Sequence, residues 1–382
     1  MTVSIGRATQ LREYLRADPG NVVLACDLLD ELVSSGAHVD AERLIEALPA
    51  QARAASGIQF RSARCALILG RYAEAAAALR ALINEGQENV ALWHDLAFCY
   101  LCMRDADNAV RTLDDASSRF GASAELAIVR ARVALMKGDF AGTHAALGEA
   151  LVLSPDHSTA LGLRALALLD AGDAEQATRA AEAALIKFPG QHEALLVAGT
   201  TALWRQELDR ANGFFELALE RHPNSGRALS GDGQLKMLRQ DLPAACERLQ
   251  QAVAAMPDHI GTWHALAWVH LLCGDIDAAE SAYQSAYDLD RNFADSHGGL
   301  ALIHALKLRI DEAEQAIKRA LRLDAHCVTA LYAQSLILSD AGRNGEAEQI
   351  LSGLLQHSPV PTNMAIGEFA GNLRARFVGI AS

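Results

Sequence analysis

The hydrophobic and polar positions of the chain repeat with a fixed period of 34 residues. In residues 260–293 two runs of apolar and small residues at helical spacing flank a glycine: Trp263, Leu266, Ala267, His270, Gly274, Ala279, Tyr283 and Ala286. Apolar residues three and four positions apart predict one face of a helix. A glycine between two such runs predicts the end of the first helix. The pattern therefore predicts a helix-turn-helix unit.

Ten units of 34 residues cover residues 22–361 without insertion or deletion. Position 8 of the unit is a small residue in nine of the ten copies, and position 20 is alanine in nine. Small residues at fixed positions predict a close crossing between the two helices. The units begin at Val22, Ser56, Val90, Ala124, Ser158, His192, Gly226, Ile260, Ala294 and Val328.

Turn residues recur at two further positions of the unit. Position 15 is glycine in six copies, which permits the left-handed conformation that ends a helix: Gly36, Gly70, Gly138, Gly172, Gly274 and Gly342. Position 32 is proline in five copies, which ends the second helix: Pro155, Pro189, Pro223, Pro257 and Pro359.

These residues resemble the tetratricopeptide repeat, whose signature is Trp-x2-Leu-Gly-x2-Tyr followed by Ala, an aromatic residue, Ala and Pro. The unit that starts at Val90 matches it with Trp93, Leu96, Ala97 and Tyr100. Three units depart from the pattern. The first two lack the proline, and the unit from Gly226 has charged residues where apolar ones are usual; the departing residues are Arg53, Gln87, Asp232 and Lys236.

The resemblance implies an all-α fold, a right-handed α-solenoid of about ten helix-turn-helix repeats. The end repeats of a solenoid need capping helices because their core faces are otherwise exposed. Residues 5–17 predict such a helix before the array, and an apolar stripe predicts another after it: Ile366, Phe369, Leu373 and Phe377. We therefore expect an N-terminal cap in 1–21, the solenoid in 22–361 and a C-terminal cap in 362–382.

Composition narrows the classes of partner. The chain has a formal net charge of −13 and no basic stripe, which disfavours nucleic acid and anionic membranes. No apolar run is long enough to span a bilayer, and the N-terminus lacks the pattern of a secretory signal. Seven cysteines without disulfide-like spacing are typical of a reducing compartment. These features predict a cytoplasmic protein that neither binds nucleic acid nor inserts into membranes.

Candidate chemistry is sparse. His264, His270, His297 and His304 could hold a metal ion or could be half-buried packing residues, and their repeat positions favour packing. Cys99 and Cys102 form a single Cys-x2-Cys without the context of a zinc or redox site. The glycine-rich stretches at 230–233 and 298–299 follow no predicted strand. We therefore predict no enzymatic activity, no metal and no cofactor.

In the tetratricopeptide family, positions 2, 5, 9 and 12 of the first helix line the concave side of the solenoid, and here positions 9 and 12 are largely apolar. An exposed apolar stripe usually marks a binding groove, although leucines at position 12 could instead be buried between helices. The predicted partner-binding residues are Arg64, Phe98, Leu101, Arg132, Leu166, Thr200, Leu203, Gln234, Met237, Trp268, Leu271 and Leu302, with His94, His264 and Arg227 as secondary contacts.

Two specialised binding modes of the family lack their residues in this chain. No three consecutive units carry the lysines, asparagines and arginine that clamp a chaperone C-terminus, and position 6 is asparagine in none of the ten units. We therefore predict a scaffold, adaptor, or assembly or secretion chaperone that binds a protein or peptide with apolar anchors. The alternatives are a structural subunit that forms a homo-oligomer through its repeats or caps, and a regulatory subunit of an enzyme complex.

Overall fold

A computed structural model describes the backbone of residues 2–357 and the side chains of residues 6–354. In this range the chain forms helices and turns, with no strand. The helices are α1 (Thr2–Ala17), α2 (Val22–Ser34), α3 (His38–Ala47), α4 (Ala50–Arg53), α5 (Ser56–Ile68), α6 (Tyr72–Asn84), α7 (Val90–Cys102), α8 (Ala106–Phe120), α9 (Ala124–Met136), α10 (Phe140–Leu153), α11 (Ser158–Asp170), α12 (Ala174–Lys187), α13 (His192–Trp204), α14 (Leu208–Arg221), α15 (Gly226–Leu238), α16 (Leu242–Ala255), α17 (Ile260–Cys273), α18 (Ile276–Leu289), α19 (Ala294–Leu306), α20 (Ile310–Leu323), α21 (Val328–Asp340) and α22 (Asn344–His357).

The predicted all-α repeat fold is confirmed. The first helices of the ten repeats begin at the ten residues expected from the period, from Val22 to Val328. The predicted N-terminal helix is present as α1 and begins at Thr2 rather than Ile5. The short helix α4, which the period does not predict, follows Pro49. The predicted C-terminal cap in 362–382 and Pro359 lie outside the described residues.

The chain divides into two compact units between Asp173 and Ala174. In the first unit the core joins the alanines of the helix crossings to larger residues, among them the buried Trp93, Leu113 and Val129. In the second unit Ala267, Ala279 and Ala301 are fully buried in one cluster with Tyr283. Small side chains at the crossings therefore let paired helices approach closely, as position 20 predicts. Between residues 2 and 357, no helix combines the length and apolarity that crossing a membrane requires.

Position 15 has a left-handed backbone in all ten repeats. Six repeats place glycine there, with φ between +71° and +86°. The other four place a larger residue at φ near +60°: Arg104, Gln206, Gln240 and Leu308. The turn thus imposes one conformation on every repeat, and these four repeats adopt it against the steric preference of an L-residue.

Replacing Leu308 by glycine should therefore stabilise the second unit by about 1 kcal/mol, because the left-handed strain is removed. Little packing is lost, since Leu308 is 73% exposed. Urea unfolding followed by circular dichroism would measure the change. The reciprocal Gly342→Leu variant should lose a similar amount, and a destabilised Leu308→Gly variant would contradict the argument.

Two aromatic side chains pack directly on glycines of the next repeat. Position 24 is aromatic at Phe215 and Tyr283, both almost fully buried. A Cβ added to Gly231 would lie 2.3 Å from Phe215 Cζ, and one added to Gly299 would lie 2.2 Å from Tyr283 Cε1. These are the only glycines at position 6 in the ten repeats. The glycine-rich stretches are therefore packing sites rather than ligand loops.

Candidate functional site

In the first unit the predicted partner-binding residues of α7 and α9 are half-buried. Phe98 and Leu101 contact the core with one side and keep part of their surface accessible. Arg132 is also half-buried, and Arg64 on α5 is exposed with its guanidinium carbon 5.7 Å from the centroid of the Phe60 ring. This unit therefore presents apolar and cationic groups on its first helices, as expected for a surface that binds an apolar segment with an acidic flank.

A buried carboxylate joins two of these candidates. Asp95 Oδ2 lies 3.3 Å from Arg64 Nε, and Asp95 Oδ1 lies 2.8 Å from His94 Nδ1. The Asp95 side chain is largely buried while Arg64 is half exposed. Asp95 occupies position 6 of its repeat and is not one of the predicted partner-binding residues. Its two oxygens contact Arg64 of α5 and His94 of α7, so it links two candidates from neighbouring repeats.

In the second unit four predicted residues on α13, α15 and α17 are half-buried: Thr200, Gln234, Met237 and Trp268. Met237 and Trp268 pack against the core cluster of this unit. Gln234 Nε2 donates a hydrogen bond to Ser230 Oγ at 3.3 Å. These side chains are thus positioned by their own helices and still offer accessible apolar and polar surface.

The expected exposure of Leu166 and Leu302 at position 9 is wrong, and for Leu203 and Leu271 at position 12 the buried alternative holds. Leu166 and Leu203 are 7% and 6% exposed, and Leu271 and Leu302 are 1% and 0% exposed. Leu271 and Leu302 belong to the core cluster of the second unit, whereas Trp268 at the same repeat position as Leu302 stays half-buried. Four of the twelve principal candidates therefore present almost no surface to a partner.

The secondary candidates divide in the same way. Arg227 is half-buried on α15. His264 packs against Tyr283 and Phe293, with ring centroids 5.6 and 5.5 Å away, and its Nε2 lies 3.0 Å from Ser296 Oγ. Burial lowers the pKa of His264, and the nearby Asp295 partly opposes that shift. His264 is therefore a packing residue more than a surface contact.

The His264 environment predicts a pH-dependent stability. The folded protein holds this imidazole neutral at a pH where the unfolded chain binds a proton, so its contribution is complete above pH 6.5 and is lost as the pH falls toward the folded pKa. The wild type should lose stability between pH 7.5 and 5.5, and His264→Gln should lose less. Unfolding midpoints would measure both, with His326→Gln, at an exposed position, as control. Equal slopes in His264→Gln and wild type would refute this assignment.

Of the other candidate chemical groups, His270, His297 and His304 are half-buried, Cys99 is buried and Cys102 is half-buried. No three His, Cys, Asp or Glu side chains between residues 6 and 354 are grouped as a metal site. Burial raises the pKa of Cys99 to about 12, and it also raises the pKa of Cys102. A thiol with a raised pKa stays protonated at neutral pH and is a poor nucleophile or ligand.

The unusual charges of the seventh repeat form an ion cluster around one buried carboxylate. The Asp232 carboxylate, 7% exposed, lies 3.4 Å from Lys236 Nζ and 3.0 Å from Arg248 Nε. Asp232 and Lys236 are four residues apart on α15, a spacing that could have indicated the pair. Arg248 comes from α16, which the helical spacing alone does not reveal. The two charged residues that depart from the repeat pattern, Asp232 and Lys236, are therefore paired with each other.

Sequence profiles of known protein families match most of the chain. A tetratricopeptide repeat profile matches residues 66–133, and a second one matches 26–89, 130–192, 163–226, 264–325 and 307–360. This chain belongs to the tetratricopeptide repeat family. None of the curated proteins matches its sequence.

Several solved structures resemble this tetratricopeptide protein in fold, at low sequence identity. A chain of the APC/C hetero-tetramer Cut9–Hcn1 matches with a TM-score of 0.66 and 16% identity, covering 81% of this chain and 61% of that one. An IFIT1 monomeric mutant with Gppp-AAAA matches with a TM-score of 0.58 and 16% identity, covering 93% and 90%. The human IFIT1 dimer with m7Gppp-AAAA matches with a TM-score of 0.52 and 17% identity, covering 89% and 90%. These likenesses show the fold, and this chain spans under two thirds of the first.

Proposed function

We propose that this protein is a non-catalytic scaffold that binds a segment of a partner protein along the first helices of its repeats. The observation that carries the proposal is the half-exposed aromatic and thioether surface of the second unit, formed by Trp268 and Met237. Trp is enriched at the energetic centres of protein interfaces, and Met adapts to irregular apolar partners. Thr200 on α13 and Gln234 on α15 add half-buried polar groups for main-chain or side-chain hydrogen bonds.

The first unit supports the same function with different chemistry. Phe98 and Leu101 supply apolar surface, and Arg64 supplies a guanidinium that Asp95 orients. A partner segment with an apolar anchor and an acidic neighbour would satisfy both groups. We infer an adaptor, or an assembly or secretion chaperone, that works in the cytoplasm. The cytoplasmic assignment is supported by the seven cysteines, all of which are free thiols.

Photo-crosslinking tests this proposal. A benzophenone amino acid at Met237 of the second unit or at Phe98 of the first should capture a partner in cells of the source organism. The same probe at Ile186, which is 83% exposed on the second helix α12, is the control. Capture at Ile186 alone would move binding to the second helices. Capture of this chain itself at Met237, with mass growing with concentration in light scattering, would favour the self-assembling subunit. Capture of an enzyme whose activity then changes would favour the regulatory subunit.

Trp268→Ala should lower the affinity for the captured partner at least tenfold, because a tryptophan buried in an interface contributes about 2 kcal/mol or more to the binding free energy. Isothermal titration with the purified partner would measure the change, and circular dichroism would check that helicity is retained. Ile186→Ala should bind like the wild type. Unchanged affinity in a fully helical Trp268→Ala variant would remove Trp268 from the interface.

A further inference from the structure

A cavity of about 490 Å³ lies in the first unit, lined by residues of α1, α2 and α3 and of the turn after α3. Its floor is apolar and includes Leu15, Leu28 and Leu48, all buried, and the half-buried Leu44. The volume lies within the range of about 300–1,000 Å³ that is usual for ligand pockets. None of its lining residues belongs to the predicted partner-binding set.

The helix α3, which lines one side of the cavity, is unusually short. The second helices of the other repeats have 13 to 15 residues, whereas α3 has 10 and ends at Ala47. Leu48 is extended, with ψ of 146°, because it precedes Pro49. The second helix of this repeat is therefore interrupted at Leu48 and Pro49, which both line the cavity, and the chain continues as α4.

The rim of the cavity is cationic in an acidic protein. Arg12, Arg16 and Arg43 line it against a single carboxylate, that of Asp40. Arg12 Nη2 and Arg43 Nη1 each lie 3.5 Å from an Asp40 oxygen, at the long limit of a hydrogen bond, and both side chains are substantially exposed. Two carboxylates of the neighbouring helices are paired with other arginines: Glu31 lies 4.0 Å from Arg7, and Glu42 pairs with Arg71.

We propose that this cavity binds an acidic peptide segment, one apolar side chain entering the leucine floor while flanking carboxylates pair with Arg12, Arg16 and Arg43. Guanidinium groups bind carboxylates through paired N–H donors, and three of them exceed what Asp40 can satisfy. The net excess of two positive charges, within a chain of net charge −13, selects an acidic segment over a basic one. The inference does not depend on binding at the first helices.

Selection from a displayed library of random dodecapeptides tests the proposal. The full chain is the bait, and Arg12→Glu/Arg43→Glu is the counter-selection. Arg80→Glu/Arg111→Glu, at exposed positions on α6 and α8 of the same unit, is the charge-matched control. Some peptides should bind the wild type and the Arg80→Glu/Arg111→Glu control but not Arg12→Glu/Arg43→Glu. These peptides should carry Asp or Glu around one Leu, Ile, Met or Phe. Synthetic copies of these peptides should bind Arg12→Glu/Arg43→Glu at least tenfold more weakly than the wild type. Replacing the apolar residue of the peptide by serine should weaken binding to the wild type by the same factor.

Three results would overturn it. One is an absence of peptides that distinguish the wild type from Arg12→Glu/Arg43→Glu while both retain the same helicity. Another is enrichment of neutral or basic peptides. The third is preferential binding of a labelled single-stranded RNA, lost with the same pair, which would assign the arginines to phosphate. Because the probed residues are separate from Trp268 and Met237, failure here leaves the proposed scaffold function standing, and the reverse also holds.

Discussion

Replacing Gly299 by valine should lower the free energy of unfolding of the second unit by about 3 kcal/mol. The first added carbon would lie 2.2 Å from Tyr283 Cε1, and the Tyr283 ring is rigid and buried. Such a contact can be relieved only by moving α18 away from α19, which would open the core between the eighth and ninth repeats. Urea unfolding monitored by far-ultraviolet circular dichroism would report the loss.

The matched control is Gly213→Val on α14. Gly213 is exposed and helical, and a Cβ there would meet nothing within 4 Å. Valine has a slightly better helix propensity than glycine, so this variant should be as stable as the wild type or slightly more stable. If Gly299→Val and Gly213→Val unfold at the same urea concentration, then close packing on Tyr283 is not what position 299 requires.

Phe215→Ala should cost about 3 to 5 kcal/mol, the usual cost of emptying a buried phenylalanine site. Phe215 is 1% exposed and lies against two glycines, Gly199 of its own repeat and Gly231 of the next. Neither glycine has a side chain that could fill the space. The cavity should therefore stay open, and the loss should lie at the upper end of this range. Urea unfolding of the full chain would measure it.

The next repeat offers a replacement pair that the chain already uses. There position 24 is the buried Leu249, and position 6 of the following repeat is Ala265. Phe215→Leu/Gly231→Ala should therefore be more stable than the sum of its two single substitutions, with a coupling energy of about 1 kcal/mol or more. Strict additivity of the two changes would show that positions 24 and 6 do not interact as the structure indicates.

Much of the fold could be predicted because the same pattern of residues is repeated ten times along the chain. Ten copies of one pattern identify the start of each first helix even where a single copy is irregular, as at Asp232 and Lys236. The candidate surface was less predictable. Phe98, Met237 and Trp268 are half-exposed as expected, whereas Leu271 and Leu302 are buried. Repeat position alone does not distinguish these residues, because exposure depends on how closely the neighbouring helix packs.

The sequence by itself determined the paired helices of the repeats, their order and the small residues at their crossings, since these depend on spacings within one repeat; α4 lies outside that pattern. Only the tertiary structure decided what depends on two repeats or two helices at once. It paired Phe215 with Gly231 and Tyr283 with Gly299, placed Arg248 beside Asp232, and opened a cavity where α3 ends early. The physical reason is that side-chain size and charge are balanced across contacts between residues 16 or more positions apart, and no helical spacing encodes that balance.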